Sequence, residues 1–239
     1  IANATYYTKK DSVILILTTF SCVLDEHSLG LIAQELIDRT AVKSDEAEEI
    51  SYLQYANWQT QLVEENEENE VHKQENKEKH GERWVYRIKP SSVPNYVKRN
   101  FKIEESVQSQ IIQLGKQLEV SKDTIFIAAF AICCYRLNLS NNAAFGVTIN
   151  GRYFEEIQKL KGVMAKTFPF YVEISDEISF LDLLKRSQKE FEDLQESHSN
   201  FKEQEEDISK IQFVSNNFQN LSGYDCFSPS EPFSLRYEI

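Results

Sequence analysis

Glycine, proline, cysteine and positive charge are all scarce in this 239-residue chain, which contains 7 glycines, 5 prolines and 4 cysteines. So few glycines argue against a glycine-rich phosphate loop, and neither the dinucleotide-binding G-x-G-x-x-G pattern nor a P-loop pattern occurs. Acidic residues outnumber basic residues 38 to 26, giving a net charge of −12. We therefore expect no nucleic-acid partner and no membrane partner, because phosphate groups attract Lys and Arg. No apolar run approaches the roughly 18 to 20 residues of a membrane-spanning helix.

The cysteines form no C-x-x-C pair, and two of them are adjacent within an apolar stretch. Adjacent cysteines on a helix point in different directions, so a disulfide between them is not expected. Compartment rules then predict reduced, mostly buried thiols in a cytoplasmic protein. The four cysteines are Cys22, Cys133, Cys134 and Cys226.

The spacing of the histidines does not indicate a metal site. None of them pairs with Cys, Asp or another His at the separations typical of metal ligands. All lie in loop-like or polar stretches, so we expect solvated side chains and no bound metal. The four histidines are His27, His72, His80 and His198.

Hydrophobic spacing predicts interleaved helices and strands, hence an α/β chain. The first strand is a continuous apolar run that we expect to be fully buried, and Ser28 is the predicted N-cap of the helix that follows it. A glutamate-rich segment, Glu64–Arg83, is expected to be a solvated helix extension and then a mobile linker. The predicted strands are Ser12–Thr18, Trp84–Ile88, Ala143–Asn150, Pro169–Ser175, Ile211–Phe218 and Phe233–Ile239. The predicted helices are Leu29–Arg39, Tyr52–Glu65, Ile103–Leu118, Ile125–Leu137, Tyr153–Leu160 and Phe180–Glu196.

Five stretches in order along the chain carry a family resemblance. The first reads S-V-I-L-I-L-T-T-F-S-C-V-L-D-E-H-S-L-G-L-I-A-Q-E-L, and the second is Y-L-Q-Y-A-N-W-Q at residues 52–59. The others are G-V-T-I-N-G-R-Y-F-E-E-I at 146–157, G-V-M-A-K-T-F-P-F at 162–170 and F-L-D-L-L at 180–184. Together they resemble the condensation domains of nonribosomal peptide synthetases, whose core motif is H-H-x-x-x-D-G. Each motif alone is weak, but their order is specific.

The core motif departs from the family pattern at its functional positions. Aligned on Asp25, the two family histidines fall on Phe20 and Ser21, and the family glycine falls on Glu26. The second histidine is the residue normally assigned to catalysis, as a general base or as a group that positions the attacking amine. Imidazole suits proton transfer because its pKa, about 6.5, lies near operating pH. Ser21 has no comparable proton affinity, and we expect His27 to point elsewhere.

Asp25 and Arg152 are the pair expected from the resemblance, since the motif Asp should meet the Arg of the G-R stretch. The alternative is an exposed loop Asp and an unrelated Arg. A nucleophile and base could also be sought in Ser21, Cys22 and His27. Covalent catalysis is disfavoured because the sequence supplies no oxyanion loop and no nucleophile elbow.

The resemblance implies a chloramphenicol-acetyltransferase-like fold of two lobes. Residues 1–95 would be the remainder of the N-terminal lobe, with the motif loop and the glutamate-rich linker, and residues 96–239 most of the C-terminal lobe. Most of the family's first lobe and its last strands have no counterpart in the sequence. Substrates would arrive on the phosphopantetheine arms of carrier proteins, with no bound cofactor or metal.

Three functions remain open on the sequence. The favoured one is a catalytically impaired condensation-like domain that serves peptide assembly as a scaffold or recruits a tailoring enzyme. The alternatives are an active condensation enzyme that forms an amide bond between carrier-bound thioesters, and a free CoA-dependent acyltransferase. In the synthetase context the partners would be the carrier protein and adenylation domains of the same synthetase.

Overall fold

The computed structural model describes residues 3–9, 12–38, 50–67, 103–138, 142–200, 212–214 and 234–236. The strands are β1 (Asn3–Lys9), β2 (Ser12–Thr18), β3 (Asn142–Ile149), β4 (Lys166–Glu173), β5 (Gln212–Val214) and β6 (Ser234–Arg236). The helices are α1 (Glu26–Asp38), α2 (Tyr52–Glu67), α3 (Glu105–Leu118), α4 (Lys122–Asn138) and α5 (Phe180–Ser197). The predicted strand Trp84–Ile88, residues 68–83 of the glutamate-rich segment and the expected lobe boundary at 95/96 lie outside the described residues.

β1 and β2 form an antiparallel ribbon, with Asn3 paired to Thr18 and Lys9 to Ser12. The expectation that β2 is fully buried is wrong for the described part of the chain, where Val13 is 67% exposed. The reason is that the described sheet gives β2 one partner strand, which covers neither face. Apolar side chains on both faces therefore remain accessible.

The loop before α1 sets the helix start at Asp25 rather than at Ser28, which corrects the predicted N-cap. The Asp25 Oδ1 atom accepts a hydrogen bond from the Ser28 N–H at 2.9 Å. The Asp25 carbonyl accepts the first helical bond from the Leu29 N–H at 3.1 Å. This is the usual N-cap pattern, with the cap side chain bonded to the third helical residue.

A four-stranded sheet in the order β4-β3-β5-β6 is the larger of the two sheets in the described structure. β3 is antiparallel to β4 and parallel to β5, and β5 is parallel to β6. Alternate residues of β4 are buried, beginning at Phe168, as a strand with one face against a core requires. The core is rich in aromatic rings: Phe145 stacks on Phe170 with ring centres 5.0 Å apart, and Phe130 meets Phe145 edge-on at 4.9 Å.

α4 and α5 pack on this sheet and on each other, and α3 packs on α4. α4 starts at an N-cap, where the Ser121 Oγ atom accepts from the Thr124 N–H at 3.0 Å. Cys134 is buried in the core, whereas Cys133 is exposed, as is Cys22. The prediction of mostly buried thiols is therefore wrong for the described cysteines, because adjacent helical residues point about 100° apart. Cys226 lies outside the described residues.

The segment between β3 and β4 is mostly irregular. Residues Glu155–Ile157 form a single 3₁₀ turn, where the sequence predicted a helix over Tyr153–Leu160. This segment connects α1 and α2 to the sheet, because Ser28 of α1 and Tyr52 of α2 donate hydrogen bonds to its backbone. Among the described residues, no helix is long and apolar enough to cross a bilayer.

Candidate functional site

The structure brings Asp25 and Arg152 into direct contact at the junction between α1 and the end of β3. The Arg152 Nη1 atom lies 2.8 Å from Asp25 Oδ2, and Nη2 lies 3.1 Å from Asp25 Oδ1. Both side chains are buried, with 1% of Arg152 and 5% of Asp25 exposed. Two parallel charge-assisted hydrogen bonds fix orientation as well as distance. The alternative of an exposed loop Asp is excluded by this geometry.

Backbone groups complete the carboxylate's hydrogen bonding. Asp25 Oδ2 accepts from the N–H groups of Met164 and Ala165 at 3.0 and 3.2 Å. Burial opposes ionisation, but the Arg152 guanidinium and the Met164 and Ser28 donors outweigh it and lower the pKa of Asp25. Asp25 is therefore a charged anchor at neutral pH and has no proton to exchange there.

Arg152 uses its remaining donors on the same segments. Its Nε and Nη2 atoms donate to the Leu160 carbonyl at 3.2 and 3.1 Å, and Nη1 donates to Asn150 Oδ1 at 2.5 Å. A planar guanidinium can serve these partners simultaneously, which a lysine ammonium cannot. The residue thus ties the end of β3 to the 160–164 segment and to the α1 cap.

Ser28 closes the network from the helix side. Its hydroxyl accepts from Arg152 Nη2 and from the Gly162 N–H, both at 2.9 Å. The single hydroxyl proton faces two acceptors, Asp25 Oδ1 at 2.7 Å and the Gly162 carbonyl at 2.8 Å. We call Asp25, Ser28, Arg152 and the backbone of residues 162–165 the brace.

α2 packs on the other side of the same segment. It begins at a capping box in which Ser51 and Gln54 exchange hydrogen bonds. The Tyr52 ring covers Gly162 so closely that a Cβ there would lie 2.0 Å from Tyr52 Cδ2. The Tyr52 hydroxyl donates to the Val163 carbonyl at 3.0 Å, and Tyr55 is buried in a small cluster. The other members of that cluster are Ile157, Leu160 and Met164.

The positions aligned with the family histidines lie in the turn between β2 and α1. Phe20 is 67% exposed, and Ser21 and Cys22 beside it are also exposed. The Phe20 carbonyl accepts from the Val23 N–H at 2.9 Å, which closes the turn that leads into Asp25. The motif loop is therefore held at its Asp end and presents Phe20 and Ser21 outward.

His27 is buried on the first turn of α1, so the expectation of a solvated histidine is wrong here. Its Nε2 atom lies 3.2 Å from the Gln158 carbonyl, to which it must donate. Burial and the nearby Arg152 charge lower the pKa of His27. The ring therefore faces the 158–162 segment and is not an exposed base beside Ser21.

His198 is also buried, which is a second correction, whereas His72 and His80 lie outside the described residues. It follows α5 and its ring covers Gly151, the residue before Arg152. Our sequence reasoning missed it because we ended the amphipathic pattern at Glu196. The buried face of α5 in fact continues through Leu184 and Phe191 to His198, at intervals of seven residues.

No group of three metal-ligating side chains occurs within the described ranges. Comparison with known proteins then identifies the chain's family. A family model described as "Condensation domain" matches residues 2–219. The chain belongs to the condensation domain family. A plipastatin synthase of Bacillus subtilis (strain 168) is 30% identical over 103 residues, which are 42% of this condensation-domain chain and 4% of that protein.

Solved structures show the same α/β fold. The first condensation domain of the calcium-dependent antibiotic synthetase, in complex with substrate analogue 2a, matches with a TM-score of 0.68 at 14% identity. That match covers 92% of this chain and 55% of the other. A holo four-domain nonribosomal peptide synthetase bound to AMP and glycine gives 0.67 at 18% identity, covering 89% and 18%. The condensation-domain chain thus spans about half of the solved condensation domain and a small part of the synthetase.

Proposed function

We propose that this condensation domain acts in carrier-bound peptide assembly but is catalytically impaired, serving as a scaffold or recruitment domain. One observation carries the proposal. The brace between Asp25 and Arg152 is complete, while Phe20 and Ser21 occupy the positions aligned with the family histidines. The residues that fix the motif loop are therefore present, whereas the histidine that would transfer a proton is replaced.

The chemical argument rests on proton affinity. A positioned acid–base group contributes about 10²- to 10⁴-fold to the rate of its step. The Ser21 hydroxyl cannot accept a proton near neutral pH without a neighbouring base. His27 was the first candidate for that base, but its buried ring donates to the Gln158 carbonyl. Asp25 is held charged by Arg152 and is equally unsuited to replace the histidine.

The runner-up function is an active condensation enzyme that forms an amide bond between carrier-bound thioesters. The intact brace is compatible with this function, because six hydrogen bonds on the Asp25 carboxylate fix the motif loop as an active domain would require. A free CoA-dependent acyltransferase is less favoured, since such enzymes also depend on the motif histidine.

The proposed partners are the carrier protein and adenylation domains of the same synthetase, and a tailoring enzyme in the recruitment case. Similarity to a plipastatin synthase and to a four-domain synthetase supports the first group. Substrates would be presented on phosphopantetheine arms, with no cofactor held by the domain itself.

The experiment compares the condensation domain in its native protein with a Phe20→His/Ser21→His variant. Both carrier domains are loaded with aminoacyl thioesters, and dipeptidyl-carrier formation is followed by mass spectrometry. We expect little or no product from the native domain and a gain from the double variant. Phe20→Ala/Ser21→Ala is the matched control, because it changes the same two positions without adding an imidazole. Native turnover as fast as that of a domain with both histidines would contradict the proposal.

A further inference from the structure

A closed chain of contacts joins the brace to the end of α5. Asp25 Oδ2 accepts from the N–H groups of residues 164–165. The next residue, Lys166, donates from Nζ to the His198 carbonyl at 2.9 Å. The His198 ring covers Gly151, and the next residue, Arg152, forms the ion pair with Asp25. His198 thus contacts both of the segments that hold the motif Asp.

The contact between His198 and Gly151 leaves no room for adjustment. Gly151 has a φ of +76°, a left-handed conformation that side chains rarely adopt. A Cβ on it would lie 2.1 Å from His198 Cε1 and 2.4 Å from Nε2. The ring therefore occupies the space that the side chain of any other residue at 151 would need. Gly151 directly precedes Arg152, so this contact lies next to the ion pair.

The His198 ring is held by neighbouring rings and by hydrogen bonds to the backbone of Met164 and Ile149. It is 1% exposed, meets the Tyr153 ring edge-on at 5.8 Å and lies tilted against Phe168 at 5.7 Å. No hydrogen bond of ordinary geometry reaches Nε2 from the described residues. Burial, and the positive charge of Lys166, lower the pKa of His198 to about 4, although the nearby carbonyls of Met164 and Ile149 oppose the shift. The imidazole is therefore neutral near pH 7.

We propose that His198 is a positioning residue: its ring covers Gly151 and fixes the backbone of residues 151–152 so that Arg152 meets Asp25. His198 acts on Asp25 through Gly151 and Arg152. The inference does not depend on whether the domain catalyses condensation. It concerns the geometry of the brace, which an active or an impaired domain would need equally.

The first test uses a signal from Arg152 itself, which simple loss of stability would not move. The full chain is labelled with ¹⁵N-arginine, and the Arg152 Nε–H resonance is assigned by its loss in Arg152→Lys. We expect His198→Ala to shift this resonance and to speed its exchange with solvent at least tenfold, because the Leu160 carbonyl no longer holds it. His198→Phe should preserve the resonance, since a neutral ring still covers Gly151.

Val172→Ala is the matched control, because Val172 is buried in the sheet core at the end of β4 remote from Lys166, where it pairs with Ala143. It should lower global stability and leave the Arg152 resonance in place. An unchanged Arg152 signal in His198→Ala, or its loss in both His198→Phe and His198→Ala, would overturn the proposal.

A mutant cycle provides an independent test. Gly151→Ala should reduce the folding equilibrium constant at least tenfold more in the native background than in His198→Ala, where the clashing ring is gone. The strain of a positive φ is common to both backgrounds and cancels. Simple additivity of the two substitutions would show that the ring does not act through Gly151.

Discussion

Arg152→Met tests the buried ion pair by removing the guanidinium while keeping an unbranched, apolar side chain that is shorter than arginine. The substitution removes both hydrogen bonds to the Asp25 carboxylate and the donors to the Leu160 carbonyl. Asp25 stays buried, with 5% of its side chain exposed, and loses the guanidinium that lowers the pKa of its carboxyl. An uncompensated buried charge is what makes this change costly, more than the loss of the attraction itself.

The expected loss is about 3 to 5 kcal/mol in the free energy of unfolding. Two backbone N–H groups, from Met164 and Ala165, still solvate the carboxylate and should hold the loss within that range. Adding Asp25→Leu to Arg152→Met should recover part of the loss, because the double variant buries no charge. The recovery distinguishes a buried-charge penalty from a general packing defect.

Urea unfolding of the condensation domain in its native protein measures these losses. The chain provides a matched control in the exposed ion pair of Lys161 and Glu35, whose charged atoms are 2.6 Å apart with side chains 38% and 56% exposed. Lys161→Met should cost between about 0 and 1 kcal/mol. A loss of less than about 1 kcal/mol for Arg152→Met as well would refute the reasoning, since the brace would then behave as a surface pair.

Two further predictions concern pH and the packing of α2. The contribution of His198 to stability should be constant above about pH 6.5 and fall as the pH approaches 4, because the unfolded chain protonates His198 at its ordinary pKa and the folded chain only at about 4. The loss from this group is roughly 3 kcal/mol, and His198→Phe should flatten that part of the profile in urea titrations. Below about pH 4, protonation of Asp25, whose folded pKa is lowered, should remove further stability. A profile unchanged from pH 7 to 4 would contradict the first statement, and a profile unchanged below pH 4 would contradict the second. Gly162→Ala should detach α2 and speed its amide hydrogen exchange, because the new Cβ meets the Tyr52 ring; equal exchange with and without Tyr52→Ala would show that this contact is not the cause.

The sequence predicted best where the information is local or repeated. The helices and strands around the core follow apolar spacing, and the start of α4 at Ser121 follows a short capping signal. Asp25 and Arg152 were paired from two motifs 127 residues apart, a link that the family resemblance supplied and composition could not. The same resemblance pointed to the condensation family, which the family model then showed over residues 2–219.

Burial was predicted worst, because it depends on what packs on an element. β2 has the composition of a core strand but has a single partner in the described structure. His27 and His198 lie in polar stretches, yet long-range packing against Gln158 and Gly151 removes both from solvent. No local sequence pattern predicts that the His198 ring, almost 50 residues further along the chain, covers Gly151.

The N-cap of α1 was predicted at the wrong residue because two polar residues compete for that position. Ser28 and Asp25 are both good N-cap residues, and the periodic apolar pattern begins at Leu29. Asp25 is the N-cap, and its carboxylate both caps the helix and forms the ion pair with Arg152. Ser28 is then free to bond to Gly162, a role that sequence alone did not suggest.

We propose that the missing histidine, and not the architecture, limits chemistry in this domain. The most direct measurement is the single-turnover rate of dipeptidyl-carrier formation across pH 5 to 8, comparing the native domain with Phe20→His/Ser21→His. We predict a native rate about 10²- to 10⁴-fold below that of the variant, and a variant rate that rises through an apparent pKa near 6.5 as the new imidazole loses its proton. A native domain that matches the variant, or a variant gain with no such pH dependence, would contradict the claim.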